Sequence, residues 1–209
     1  MTGLANMLIN GIVVLAGDQV FIALVLTMVC CIVLGMGVPT TATYCIMAAT
    51  CAPILVRMGV PMVAAHFFVF YFGIVADLTP PVALAAYAGA AIAQANPMKT
   101  AIQATKLAIG AFIVPYAFAL SPSMLLIDTT AMEVILITVT SLIGIASVSA
   151  AMEGYIMGNL NWPQRLLMLV GGLMMIYPGV TTDAIGIALS GAVIVLKLVQ
   201  NKKMKAQLA

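Results

Sequence analysis

The chain has 209 residues, 64% of them hydrophobic and 7% charged, with a mean hydropathy of +1.21 and a net charge of +2. That usage lies outside soluble globular domains and marks a polytopic membrane protein, while so small a charge offers no basic face for nucleic acid. Cys30, Cys31, Cys45 and Cys51 fall in apolar stretches without C-x-x-C spacing and read as reduced thiols packed as small apolar residues.

Met1 to Asn10 lack a basic n-region and a small-residue cleavage site, so no secretory signal is expected, and Met1-Thr2-Gly3 reads as a start in mid-protein. Leu4 to Ala16, with Asn6 and Asn10 among aliphatics, reads as an interfacial amphipathic helix. Apolar segments follow at 20–36, 41–57, 61–76, 81–95, 99–119, 131–151, 165–178 and 183–199. A single crossing takes about 20 residues, so the first four need pairing. Residues 20–57 are expected to form a re-entrant hairpin of two half-length helices, and 61–95 one crossing helix broken near Thr79. A membrane helix over 99–119 and about three more over 121–209 complete the expected all-α fold.

Lys and Arg near membrane ends collect on the cytoplasmic side. Lys202, Lys203 and Lys205 therefore place the C-terminus inside, and counting crossings backwards brings Arg165, Lys99 and Lys106 to cytoplasmic ends. The loops around Ser121 to Thr130 and Pro178 to Asp183, with Asp128 and Asp183 and no basic residue, fall outside, as does Arg57. Trp162 and Tyr155 read as interfacial anchors. Gly171, Gly172, Gly186 and Ser190 read as small residues for close helix packing. Glu133 and Glu153 read as solvated helix ends.

Two clusters interrupt the apolar sequence: Gly35-Met36-Gly37-Val38-Pro39-Thr40-Thr41 and Asp77-Leu78-Thr79-Pro80-Pro81. In hydrocarbon every backbone polar group needs a partner, so broken helices persist where they face protein or a solvated cavity, and such breaks build ion and substrate sites in secondary carriers. Pro39, Pro80 and Pro81 lack an N–H and are expected to free the carbonyls of Gly35, Ala76 and Asp77. Thr40, Thr41, Thr43 and Thr79 add hydroxyl oxygens, and Gly35 and Gly37 let the backbone turn. Oxygen ligands suit a hard cation. Helices restarting at Pro39 and Pro80 would turn N-terminal N–H groups, which favour an anion, toward the same gap. A single break reads as an ordinary kink, whereas two with this polar content read as a site.

The run from Gly35 to Tyr44, then His66-Phe67-Phe68-Val69-Phe70-Tyr71-Phe72, then Asp77 to Leu84, resembles the large membrane subunit of tripartite ATP-independent periplasmic (TRAP) transporters. It is most similar to the fused permeases that partner TAXI-type solute receptors. The resemblance covers residues 1 to about 120 and implies the second inverted repeat of an elevator-type carrier, the C-terminal half of the permease domain, with 121–209 a C-terminal extension. It further implies cation coordination at Gly35, Gly37, Pro39, Thr40, Thr41, Asp77, Thr79 and Pro80, with the organic anion, a carboxylate, expected at Thr43, Thr79 and Pro81. The implied partners are a periplasmic receptor and the rest of the permease, including the first repeat and the small membrane subunit or its fused equivalent, in a bacterial inner membrane. No cofactor is expected beyond the coupling ion, Na⁺ or H⁺.

Asp77 reads first as a functional carboxylate, which could ligate Na⁺ or titrate, and only second as a helix-breaking or capping residue; the density of neutral oxygens favours Na⁺. His66, the one histidine, reads first as a hydrogen-bonded packing residue. An intramembrane hydrolase would need an activated nucleophile or paired carboxylates, and the chain has neither G-x-S-x-G nor a second intramembrane Asp near Asp77. The alternatives to an ion-coupled permease are a structural or assembly subunit and a carrier that works without a soluble receptor.

Overall fold

The computed structural model describes residues 4–17, 19–125, 129–177 and 179–208, without the side chains of 4–6, 8, 9, 122 and 201–208. The expectations resting on Asp128, Pro178 and the side chains of Asn6, Lys202, Lys203 and Lys205 lie outside the described residues. All regular structure among the described residues is helical, and the chain divides into two compact units, Met1–Leu125 and Leu126–Ala209.

In the first unit α1 (Leu4–Ala16) precedes α2 (Val20–Gly35), and the chain then folds back through α3 (Thr40–Thr50) and α4 (Ala52–Arg57). Pro53 lies in the first turn of α4, where a missing N–H costs nothing, and so divides the segment expected at 41–57. The return lies along α2, because Leu26 and Cys30 pack against the buried cluster of Ile12 and Ile54, and the Cys51 thiol faces those of Cys30 and Cys31. Next comes α5 (Met62–Val75), a 3-10 turn over Ala76–Leu78, and α6 (Leu84–Ile92). The segment 61–95 is therefore broken near Thr79 as expected. Phe68 and Phe72 of α5 are fully buried, with ring centroids 4.8 Å apart, and both meet the ring of Tyr116 at 5.3 and 5.9 Å. These edge-on aromatic contacts make α5 the centre of the unit's core.

The helix expected at 99–119 is two helices, α7 (Pro97–Leu107) and α8 (Ile109–Leu120), bent by 41° at Ala108. Lys99, Gln103 and Lys106 are exposed on α7, and Asn96 caps its start by accepting from the Lys99 N–H at 3.1 Å. The polar α7 is thus distinct from the apolar α8, and only together do they have the length and composition of a membrane span.

The second unit contains α9 (Ala131–Glu153), α10 (Trp162–Ile176) and α11 (Val180–Leu208). Ala131–Glu153 and Val180–Gln200 are long and apolar enough to cross a membrane. Glu133, expected only as a solvated end, closes a capping box with Thr130 at the start of α9. At the other end Gly154 adopts the left-handed conformation, and Arg165 donates from Nε to the Ala151 carbonyl and from Nη2 to the Met152 carbonyl, both at 2.8 Å. The guanidinium thereby satisfies two carbonyls that a helix end leaves orphaned. The helices approach at backbone distance: Cβ atoms built on Gly144 and Gly172 would each lie 2.7 Å from the other's carbonyl oxygen, and Gly171 and Gly186 are equally tight.

Candidate functional site

Two glycines decide how the turn between α2 and α3 meets the break after α5. Gly35 ends α2, and a Cβ placed on it would lie 3.0 Å from Ala76 Cβ, 3.0 Å from the Gly73 carbonyl oxygen and 3.3 Å from Met47 Cε. On Gly73 an added Cβ would lie 2.9 Å from Thr43 Cγ2 and 3.1 Å from Met47 Sδ. With no side chain at either position, the end of α2 closes onto the backbone of α5 at Gly73, and the Thr43 and Met47 side chains of α3 pack into the space the two glycines leave. Gly37, at φ +73°, turns the chain so that its added Cβ would approach Val82 Cγ1 at 4.0 Å. The tip at 36–39 and the break at 76–83 therefore share one place, and the candidate residues of both clusters are brought together.

Thr43 is buried and its Oγ1 donates to the Val38 carbonyl at 3.1 Å, across the tip. Thr79 is half-buried and its Oγ1 donates to the Val75 carbonyl at 2.8 Å. A hydroxyl that gives its proton to a carbonyl keeps two lone pairs, so both oxygens retain the acceptor capacity that a cation would need. Pro39, Thr40 and Thr41 are exposed at the start of α3, which has no side-chain cap, so its first N–H groups lack intrahelical partners. Asp77 is half-buried in the 3-10 turn, and no described residue hydrogen-bonds or pairs with its carboxylate.

The electrostatics follow from which helix ends meet. Gly35 is the C-terminus of α2, and Ala76 opens the 3-10 turn that ends α5. Two C-terminal ends carry converging partial negative charge, which favours a cation, and the N-terminus of α3 beside them favours an anion. The oxygens at the juncture are carbonyls, hydroxyls and one carboxylate, a donor set for a hard cation.

Two expectations are corrected. The carbonyls of Gly35 and Ala76 are not freed: Gly35 accepts from the Val38 N–H at 3.4 Å and Ala76 from the Thr79 N–H at 3.2 Å. Where proline removes the donor four residues on, the chain tightens and the donor three residues on takes its place. The second helix does not restart at Pro80 either. The Pro80–Pro81 peptide is cis, Ala83 has φ +37°, and α6 begins only at Leu84. Thr79 ends the 3-10 turn, so the N-terminal N–H groups expected from a helix restarting at Pro80 are absent there. Pro81 is exposed, and its carbonyl accepts from Tyr87 Oη at 2.6 Å, which ties the turn to α6.

Three further residues shape the juncture. Thr105 of α7 donates through Oγ1 to the Leu78 carbonyl at 3.1 Å and to the Ala101 carbonyl of its own helix at 2.9 Å. It braces the break from a segment that looks like any polar helix, so nothing local in the sequence marks it. The same holds for Tyr87. Gly73 carried a signal, as the one glycine within an aromatic and β-branched helix. His66 has the hydrogen bond expected of a packing residue, with Nδ1 3.0 Å from Tyr44 Oη.

No curated protein and no solved structure matches the chain. A family model, described as the tripartite ATP-independent periplasmic transporter, DctM component, matches residues 1–132, which takes in all of the first unit and reaches the start of α9. That family is one of transporters and not of enzymes. The chain accordingly belongs to the DctM family and is a permease component of a TRAP transporter.

Proposed function

We propose that this permease component takes up an organic anion, in keeping with a carboxylate, together with a cation bound where the hairpin tip meets the helix break. The observation that carries the reading is the close approach of Gly35 to the Gly73 carbonyl and the Ala76 methyl, beside which lie two helix C-termini and the hydroxyls of Thr43 and Thr79. In this reading the cation is held among Gly35, Gly37, Pro39, Thr40, Thr41, Asp77, Thr79 and Pro80, and Na⁺ suits the neutral oxygens. The anion lies at the first turn of α3, beside Thr43, Thr79 and Pro81, where the orphan N–H groups favour negative charge.

The partners in this reading are a periplasmic receptor of the TAXI type and the rest of the permease, and the motion is an elevator one across a bacterial inner membrane with the C-terminus cytoplasmic. The re-entrant form of the α2–α3 hairpin belongs to the same proposal.

The test is uptake by the complete permease and its receptor in proteoliposomes, under an imposed Na⁺ or pH gradient, comparing wild type with Asp77→Asn and Thr79→Ala. Uptake driven by Na⁺ and weakened by both substitutions supports the cation site. Uptake driven by pH and abolished by Asp77→Asn alone makes that carboxylate the proton carrier. Receptor-bound, folded permease without gradient-driven uptake would replace the carrier reading with that of an assembly subunit.

A further inference from the structure

A groove opens between the end of α4 and the start of α5, well away from the helix break: His66 and Asp77 are about 16 Å apart along the helix at 1.5 Å per residue. The cavity holds about 400 Å³ and is walled by Ala48, Pro53, Val56 and Met62, with Arg57 and His66 as its polar lining. Arg57 is exposed in the last turn of α4 and makes no hydrogen bond or ion pair with a described residue. His66 also borders a second cavity, of about 240 Å³, lined by Tyr44, Phe67 and Phe70. Tyr44 engages Nδ1 of the imidazole, which leaves Nε2 as its remaining nitrogen. Among the described residues, no carboxylate lines either cavity.

The chemistry asks for an amphiphile. An unpaired guanidinium beside an imidazole recognises phosphate or carboxylate through charge-assisted hydrogen bonds. The apolar walls, continued by exposed Met62, Val63 and Phe67, ask for hydrocarbon. A small hydrophilic anion would leave those walls unmatched, whereas a phospholipid meets both demands and is the solvent of a chain this apolar. We propose that the α4–α5 groove binds an anionic phospholipid, with its phosphate on Arg57 and His66 and an acyl chain along Val56 and Met62.

The full chain in detergent micelles, titrated with phosphatidylglycerol or phosphatidylcholine and read by native mass spectrometry, tests this. Phosphatidylglycerol is expected to be retained in preference to phosphatidylcholine. Arg57→Gln is expected to lower that retention about tenfold, Arg57→Lys is expected to keep the headgroup preference, and millimolar succinate is expected to displace nothing. Met62→Glu, which sets a carboxylate at the rim, is a second variant should Arg57→Gln not fold; it is expected to repel phosphatidylglycerol and spare phosphatidylcholine. Equal retention of the two lipids, or unchanged retention by Arg57→Gln, overturns the proposal. Displacement by succinate would make the groove a solute site and likewise overturn it.

Discussion

Gly35→Ala tests the contact on which the site depends. Alanine in place of glycine gains up to about 1 kcal/mol of helix propensity in a helix interior, and less at the last residue of α2. Against that, the new methyl would stand 3.0 Å from both Ala76 Cβ and the Gly73 carbonyl oxygen, neither of which has a rotamer to yield, while Met47 Cε at 3.3 Å can swing away. Overpacking of this kind costs about 1–3 kcal/mol, so a net loss of about 1–2 kcal/mol is expected. Because the chain has two units, a global melt would blur the effect. Hydrogen exchange read on peptides covering 62–80 reports the juncture itself and should rise about 5- to 30-fold. Gly89→Ala is the control, since nothing lies within 4 Å of its added Cβ, and exchange there should stay level or slow. Adding Ala76→Gly to Gly35→Ala removes one of the two rigid contacts and should restore roughly half of the loss. If Gly35→Ala is as benign as Gly89→Ala, α2 does not end against the break, and the argument for a shared site fails.

Two other predictions test the surrounding architecture. Oxidation of the purified chain with copper phenanthroline is expected to join Cys51 to Cys30 or Cys31 of α2 within one molecule and to leave the exposed Cys45 out of that link; absence of a link from Cys51 to either would show that the chain does not return along α2. Arg165→Met removes both donors to the carbonyls of Ala151 and Met152 and should destabilise the second unit by about 2–4 kcal/mol, with Arg165→Lys intermediate, as read from the fluorescence of Trp162 during denaturant unfolding. A neutral Arg165→Met would mean that the end of α9 does not depend on this cap.

The breaks were legible because proline and glycine act locally. Pro39 excludes an N–H from the ladder wherever it sits, and the tip follows at 36–39. What comes after a break is settled at a distance. Nothing within Pro80 to Ala83 says that the turn runs on to Leu84, because a hydroxyl from Tyr87 fastens it. The bend at Ala108 has neither proline nor glycine at its vertex, and it separates a polar α7 from an apolar α8 that hydropathy alone merges into one segment. Likewise, the meeting of tip and break rests on the missing side chains at Gly35 and Gly73 together, and periodicity does not say that these two positions face each other.

For the proposed cation site, the direction of two protons has a consequence. A freely rotating hydroxyl must turn its hydrogen aside before it can ligate a cation, and that reorientation costs entropy at the moment of binding. At Thr43 and Thr79 the hydrogens already point at the carbonyls of Val38 and Val75, so folding has done the reorganisation in advance. A water molecule in the same place finds oxygens that can accept but have no proton left to give, and it loses half of its own hydrogen-bonding repertoire. Preorganisation of this kind narrows the competition between ion and solvent before any ion arrives.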